Sequence, residues 1–292
     1  MLKSTPLLLA YKNPCYTILI FIIIFTCSMK KGLAYLSILV AVFGICALSP
    51  AKASSLISVD DLQAGDLFRG ESFSAVYYYS VDGFRYVFPN DKIYFTWYEN
   101  FDDVRWVSDA DLATVQLGGN ITYKPGVKMI KVTSSPTTYA IGSNGTLRWV
   151  KTAEIAEALY GSDWNKQIDD LPDGFFGNYT MGASIDTASS FDPDAEQADA
   201  YSIDEDKDLQ EAAEIDISSA GYSDTSITIE VGTAIRWNNT DTENHSASDE
   251  DKEWGSGTIS AGRSWARYFD ESGTYEYYDR YDESNTGTIV VE

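Results

Sequence analysis

The stretches ITIEVGTAIRWNNTD, residues 227–241, and GTYEYYDRYDESNTGTIVV, residues 273–291, decide the fold of this chain. In the first stretch apolar and polar residues alternate on both sides of Gly232, which indicates two half-buried strands and a tight connection. About seven or eight short strands within residues 213–292 predict a β-sandwich, and the chain as a whole is predicted to be mainly β. The expected core residues are Ile227, Ile229, Val231, Ile235, Trp237, Trp265, Phe269, Tyr275 and Tyr277.

The order of these segments resembles cupredoxins of the plastocyanin and amicyanin type. The resemblance covers essentially all of residues 213–292 and includes EVGT, IRWNNTD, SGTI, GTYEY and GTIVV. It implies a cupredoxin-like Greek-key β-sandwich for this part of the chain.

The resemblance also places the copper ligands, which in this family are two imidazoles, a thiolate and a weak axial thioether. The first histidine position is His245, the only histidine in the chain. The loop after the GTYEYY strand keeps its length, but Asp279 stands at the cysteine position, Asp282 at the second histidine position and Asn285 at the methionine position. Since three of four ligands are changed and no thiolate is present, we expect no blue-copper electron transfer.

Two interpretations of this loop stay open. In the first, the copper site is degenerate, no cofactor is bound, and Asp279, Asp282 and Asn285 are ordinary loop residues. In the second, His245, Asp279 and Asp282 hold a divalent ion such as Zn²⁺, Mn²⁺ or Ca²⁺, because one imidazole with carboxylates suits harder ions.

The first 53 residues contain five basic residues and no Asp or Glu. Residues 29–53 have the pattern of a secretory signal peptide: Met29–Lys31 as the basic start, Leu33–Leu48 as the apolar run and Ala51–Ala53 as the cleavage site. The apolar run is shorter than the roughly 20 residues that span a bilayer. We therefore expect export to the periplasm or cell surface, with no membrane span after cleavage.

The cysteines and the charge restrict the function further. Cys15, Cys27 and Cys46 all lie in the leader, so the mature chain has no disulfide, thiolate metal site or cysteine nucleophile. Without the leader, 16 basic residues face 44 acidic ones, a net charge of −28. Because such a surface repels polyanions, nucleic acid is not an expected partner.

Residues 54–183 are predicted to be a β-rich domain of two repeats, each a β-hairpin plus a short helix, with a period near 61 residues. Tyr78 matches Tyr139, and the turn Asp82-Gly83 matches Asn144-Gly145, for which a type I′ turn is predicted. Asn90 and Thr152 are the predicted N-caps of the two helices. These units resemble tandem repeats in predicted surface proteins of uncultured bacteria, a resemblance that implies no established activity.

Residues 184–212 are rich in acidic and small residues, a composition that predicts a disordered linker between two independently folding domains. The run Asp204-x-Asp206-x-Asp208 resembles a calcium loop, but Leu209 and Ile215 stand where an EF-hand needs Gly and Glu.

The favoured function is therefore a secreted or cell-surface, non-enzymatic binding or assembly protein with a degenerate cupredoxin domain. Its extracellular partner is expected to be a glycan or a protein, because the aromatic side chains of residues 54–183 form either a core or a binding face. One alternative is a metal-binding cupredoxin with an altered site, which could transfer electrons. Another is an extracellular hydrolase, which rests on the abundance of carboxylates alone.

Overall fold

The computed structural model describes residues 3–13, 16–26, 36–44 and 55–292. They divide into two units, residues 1–54 and 55–292. The first contains one antiparallel sheet whose strands follow in chain order: β1 (Lys3–Asn13), β2 (Tyr16–Thr26) and β3 (Leu36–Gly44). The predicted basic start at residues 29–31 and the cleavage after Ala53 lie outside the described residues. No helix in the described ranges is long and apolar enough to cross a membrane.

The second unit begins with a six-stranded sheet. Its strands are β4 (Leu56–Ile57), β5 (Leu67–Gly70), β6 (Tyr77–Tyr79), β7 (Arg85–Val87), β8 (Arg105–Val107) and β9 (Leu117–Asn120). The helices are α1 (Asp91–Trp97), α2 (Asp109–Leu112) and a 3-10 helix at Val59–Asp61. The order is β4–β8–β5–β6–β7–β9, in which β5, β6 and β7 form an antiparallel meander. Strand β8 runs parallel to β5, and β9 runs parallel to β7.

A second sheet repeats this connectivity. Its strands are β10 (Met129–Val132), β11 (Thr138–Gly142), β12 (Thr146–Trp149), β13 (Ile168–Leu171) and β14 (Thr180–Met181), in the order β13–β10–β11–β12–β14. The helices are α3 (Ala153–Tyr160) and 3-10 helices at Ser143–Gly145, Trp164–Gln167 and Asp173–Asn178. Again a three-stranded meander is followed by a helix, a strand parallel to its first strand and a strand parallel to its third.

The strand register relates the two meanders position by position. Tyr77 in β6 and Tyr139 in β11 each pair with the last residue of the next strand, so equivalent positions are 62 residues apart. The sequence pattern matches Tyr78 with Tyr139, and the register corrects this match by one residue. The reason is that one more residue separates Gly126 from β10 than separates Gly65 from β5.

Both main helices of the sheets begin where the sequence predicts. The Asn90 side chain accepts a hydrogen bond from the Ile93 amide at 2.9 Å. Thr152 accepts one from the Ile155 amide at 3.3 Å. These side chains satisfy amides that have no partner within the helix, so the predicted N-caps are confirmed.

The two hairpin turns differ from each other. Asn144 and Gly145 both have positive φ, 53° and 62°, as the sequence predicts. In the first hairpin only Gly83 has a positive φ, 76°, so the type I′ prediction is wrong for Asp82-Gly83. The physical reason lies in the Asp82 side chain, which is directed into the protein and is fully buried.

Residues 184–212, predicted to be a disordered linker, are ordered in the structure. They form a 3-10 helix (Ala188–Ser190), α4 (Pro193–Asp199) and α5 (Ile203–Asp206). Phe191, Ala200 and Ile203 are buried, and Ile203 belongs to the same apolar cluster as residues of both sheets. Composition alone misses these few contacts, because apolar residues are sparse in the segment.

The acidic side chains of this segment find donors in the sheets. Asp204 accepts the Tyr78 hydroxyl at 2.6 Å and the Val81 amide at 3.2 Å. Asp206 accepts the Asn144 amide at 2.9 Å. Because these carboxylates are hydrogen-bonded, their charge does not prevent the segment from packing.

Residues 213–292 form two four-stranded sheets. The strands are β15 (Ala213–Ser218), β16 (Gly221–Tyr222), β17 (Ser226–Ile229), β18 (Thr233–Asn239), β19 (Ser248–Asp249), β20 (Ser264–Phe269), β21 (Gly273–Asp279) and β22 (Asp282–Val291). The sheet orders are β16–β15–β18–β20 and β17–β22–β21–β19, and side chains from both sheets form one core around Trp237 and Tyr277. The fold class is therefore mainly β, as predicted. Val231, an expected core residue, is instead 45% exposed, because it follows β17 in the turn around Gly232.

The Asp82 carboxylate joins the first sheet to the sandwich. It accepts hydrogen bonds from the Phe84 amide at 2.9 Å and the Tyr86 hydroxyl at 2.8 Å, and also from the Tyr268 hydroxyl of β20. Arg236 of β18 donates to the Asp82 carbonyl at 2.9 Å. Residues 55–292 consequently form one compact unit.

Candidate functional site

His245 is positioned by the backbone on both sides of it. It pairs with Ile259 in an antiparallel bridge, with N–O distances of 3.1 and 2.8 Å. At the end of β18, the Asn239 side chain donates to the carbonyls of Glu243 and Ile259, each at 2.8 Å. These bonds fix the conformation of the loop after β18 and the position of His245, which is buried.

Asp279, at the cysteine position of the resemblance, lies beside this histidine. It ends β21, where the pairing with β22 becomes irregular, and its side chain is fully buried. Its Oδ2 lies 2.6 Å from His245 Nδ1. Its Oδ1 accepts from the Ser246 amide at 2.9 Å, the Ser246 hydroxyl at 3.2 Å and the Tyr281 amide at 3.0 Å. Both oxygens of this carboxylate are thus engaged by protein donors.

The second ring nitrogen of His245 faces another carboxylate. His245 Nε2 lies 3.3 Å from Asp241 Oδ2. Only the protonated imidazole can donate from both nitrogens at once, so the arrangement suits an imidazolium between Asp279 and Asp241.

The pKa of His245 follows from this geometry. Burial by itself lowers the pKa, but hydrogen bonds and attraction to Asp279 and Asp241 outweigh it, so the pKa lies above the ordinary histidine value. The pKa of Asp241 is lowered, first by the Thr242 amide and then by His245. Because the histidine pKa is raised on folding, its stabilising contribution is complete below about pH 6.5 and is lost as the pH rises through the folded-state pKa.

Sequence reasoning misses the role of Asp241. Asp241 and His245 are four residues apart, a spacing that brings side chains together on a helix but not in an irregular loop. The resemblance includes Asp241 as the last residue of IRWNNTD, but it gives this residue no role as a partner of His245. The contact depends on the loop conformation that Asn239 holds.

Asp282 and Asn285, the other two positions of the resemblance, have different hydrogen-bond partners. Asp282 is exposed and accepts the amide and hydroxyl of Ser284 at 3.1 and 2.6 Å. Asn285 accepts the Tyr222 amide at 3.0 Å. Of the four positions, His245 and Asp279 form a direct pair, and Asp282 and Asn285 make separate local contacts.

These residues do not fit a copper ion. A blue-copper site needs a thiolate and two imidazoles, whereas the position is filled by a carboxylate whose oxygens already accept four donors. Within the part of the chain that the structure describes, no group of three or more His, Cys, Asp or Glu side chains is arranged to hold a metal ion.

Comparison with known proteins finds similarity to solved cupredoxin structures. A purple cupredoxin from Nitrosopumilus maritimus is 26% identical over 27% of this chain and 99% of its own, with a TM-score of 0.27. A Cu(I) form of an amicyanin variant is 22% identical over 28% of this chain and 82% of its own, also with a TM-score of 0.27. No protein-family model matches the chain, and no curated protein does.

Proposed function

We propose that this chain is an exported, non-enzymatic binding or assembly protein whose C-terminal sandwich works without a metal ion. The observation that carries the proposal is the position of His245 between Asp279 and Asp241, at 2.6 and 3.3 Å. An imidazolium there supplies the positive charge that the buried Asp279 carboxylate requires. The sandwich then serves as a rigid support, since function resides in sites rather than in folds.

We further propose that the two sheets of residues 54–183 are copies of one duplicated unit, similar to the tandem repeats of predicted bacterial surface proteins. Their common connectivity and their constant spacing of 62 residues between meander positions support this. A duplicated, aromatic-rich unit in an acidic exported chain suits binding of an extracellular glycan or protein. Carboxylate abundance remains the sole support for a hydrolase.

The metal-free proposal is tested on the purified protein by elemental analysis and by thermal unfolding. The chain is stripped with chelator and then heated with and without Cu²⁺, Zn²⁺ or Ca²⁺, alongside the variants His245→Ala and Asp279→Ala. We expect no stoichiometric metal and the same small shift of Tm for all three proteins, because ions then act only by screening the negative charge.

The alternative altered-metal function predicts a different pattern. One ion would raise Tm strongly in the wild type, and the gain would disappear in both variants. Glu283→Gln is the matched control: it changes an exposed carboxylate of the same loop that is not among the candidate ligands.

A further inference from the structure

Each of the two sheets carries a cleft beside its main helix. The first has a volume of about 540 Å³ and lies between the segment before β6, the end of β7 and helix α1. The second has a volume of about 200 Å³ and lies between the segment before β11, the end of β12 and helix α3.

The two clefts occupy the same place in the two sheets. Nine of the ten residues that line the second cleft stand 62 positions after a residue that lines the first. The tenth, Trp164, stands 63 positions after Phe101. The strand register gives the same spacing of 62 independently. All nine matched pairs of lining residues differ in type, so the backbone that the two sheets have in common preserves the concavity.

Aromatic rings form part of the wall in both clefts. In the first, Phe101 is 47% exposed and stacks on Tyr94 with a centroid distance of 4.3 Å. In the second, Trp149 is 42% exposed, and Trp164 lines the cleft one position beyond the register equivalent of Phe101. Flat, partly exposed rings in a cleft can pack against the C–H face of a sugar ring, and nearby polar groups can bond to its hydroxyls.

Polar groups are present in both clefts, but their charges are opposite. The first contains Asp91 and the Ser74 hydroxyl. The second contains Lys151, whose Nζ lies 4.3 Å from the Trp149 ring centroid, and the hydroxyls of Thr137 and Thr152. A charged ligand would be attracted by one cleft and repelled by the other, so a ligand common to both is neutral.

We propose that the two clefts are paired subsites for a neutral saccharide. The inference deepens the proposed binding function and rests on it. Two subsites in one chain would favour a polymer with a repeated sugar unit over a single sugar, because the second contact is then intramolecular.

The test uses an array of neutral oligosaccharides of glucose, galactose, mannose and N-acetylglucosamine, followed by calorimetric titration with the best-retained compound. We expect two sites per chain. Phe101→Ala and Trp149→Ala should each weaken one site at least about tenfold, leaving one site per chain, and the double variant should retain neither. Tyr201→Ala is the control, since Tyr201 is 72% exposed and lines neither cleft.

Several results would overturn the inference. The first is that the protein retains no neutral oligosaccharide. The second is that the double variant, with unchanged unfolding, still binds the oligosaccharide. The third is that the variants lose only the binding of a lysine- or arginine-rich peptide. Failure of the proposed function is recognised separately: shortening of the oligosaccharide in mass spectra would show an enzyme even where cleft binding stands. The metal measurements on His245 are independent of either outcome.

Discussion

At the scale of single residues, Asp206 is a carboxylate whose burial lowers the stability of the folded state. It is buried in α5 and accepts one amide hydrogen bond, from Asn144. Burial raises its pKa to about 6. Since the pKa is raised on folding, the protonated form favours the folded state, and this contribution is lost as the pH rises through about 6.

Asp206→Asn should therefore stabilise the protein at pH 7.5 by about 1–3 kcal/mol, because the amide oxygen can still accept from Asn144 while the buried charge is removed. The gain should vanish below about pH 4, where aspartate is neutral in both states. Urea unfolding at both pH values measures it. Asp208→Asn, on the exposed side of the same segment, is the control, and an unchanged or lowered stability of Asp206→Asn at pH 7.5 would show that its charge is not costly.

His245 and Asp279 could be selected from the sequence because the resemblance fixes their positions, and the structure brings them into contact. Asp241 and Asp82 could not. Their partners are brought close only by the tertiary structure. Asp241 reaches His245 through the conformation of a loop, and Asp82 bonds to Tyr268, which is 186 residues away in the chain.

At the scale of elements, a short sequence pattern predicts those features that depend on contacts between near neighbours in the chain. The caps Asn90 and Thr152 depend on amides three residues away, so a short pattern suffices. At the Asp82-Gly83 turn the Asp82 carboxylate accepts hydrogen bonds from Phe84 and Tyr86 of the hairpin and from Tyr268 of the sandwich. A two-residue turn pattern does not reveal these partners.

Gly83 provides a test of this contact between hairpin and sandwich. It has φ 76°, and a Cβ there would lie 1.9 Å from Arg236 Nη2, whereas Gly161 has φ 80° with no atom within 4 Å. Gly161→Ala should cost about 1–3 kcal/mol for the backbone conformation alone, because φ 80° with ψ −177° is a region essentially restricted to glycine. Gly83→Ala should cost roughly 1–3 kcal/mol more, because it also displaces Arg236 from the Asp82 carbonyl. Equal losses in denaturant unfolding would mean that the contact contributes nothing.

At the scale of the whole molecule, the apolar cluster that contains Tyr78 and Ile130 of the two sheets also contains Ile203 of the acidic segment and Ala266 of the sandwich. The composition of residues 184–212 predicts a linker, because so few of its residues are apolar. Phe191, Ala200 and Ile203 are among those few and are buried, which no average over the segment could reveal. That residues 213–292 fold by themselves stays a prediction.

Limited proteolysis should therefore spare residues 193–209 in the native protein, because cleavage requires that α4 and α5 first leave the sheets. Ile203→Asp should make this segment the first site of cleavage, since a buried charge replaces an apolar contact. Glu211→Gln, an exposed change outside residues 193–209, should leave the cleavage pattern unchanged. Early cutting of the wild type at residues 193–209 would restore the linker interpretation.

We propose that an imidazolium held by two carboxylates occupies the place where the resemblance puts copper. Since the chain has one histidine, its imidazole signals in a proton–nitrogen NMR titration belong to His245 without assignment. We expect a His245 pKa above about 6.5, a lower pKa in Asp279→Asn, and imidazole signals that stoichiometric Zn²⁺ or Cu²⁺ leaves unchanged. A pKa below that value, with signals that shift or broaden on adding one equivalent of either ion, would contradict it.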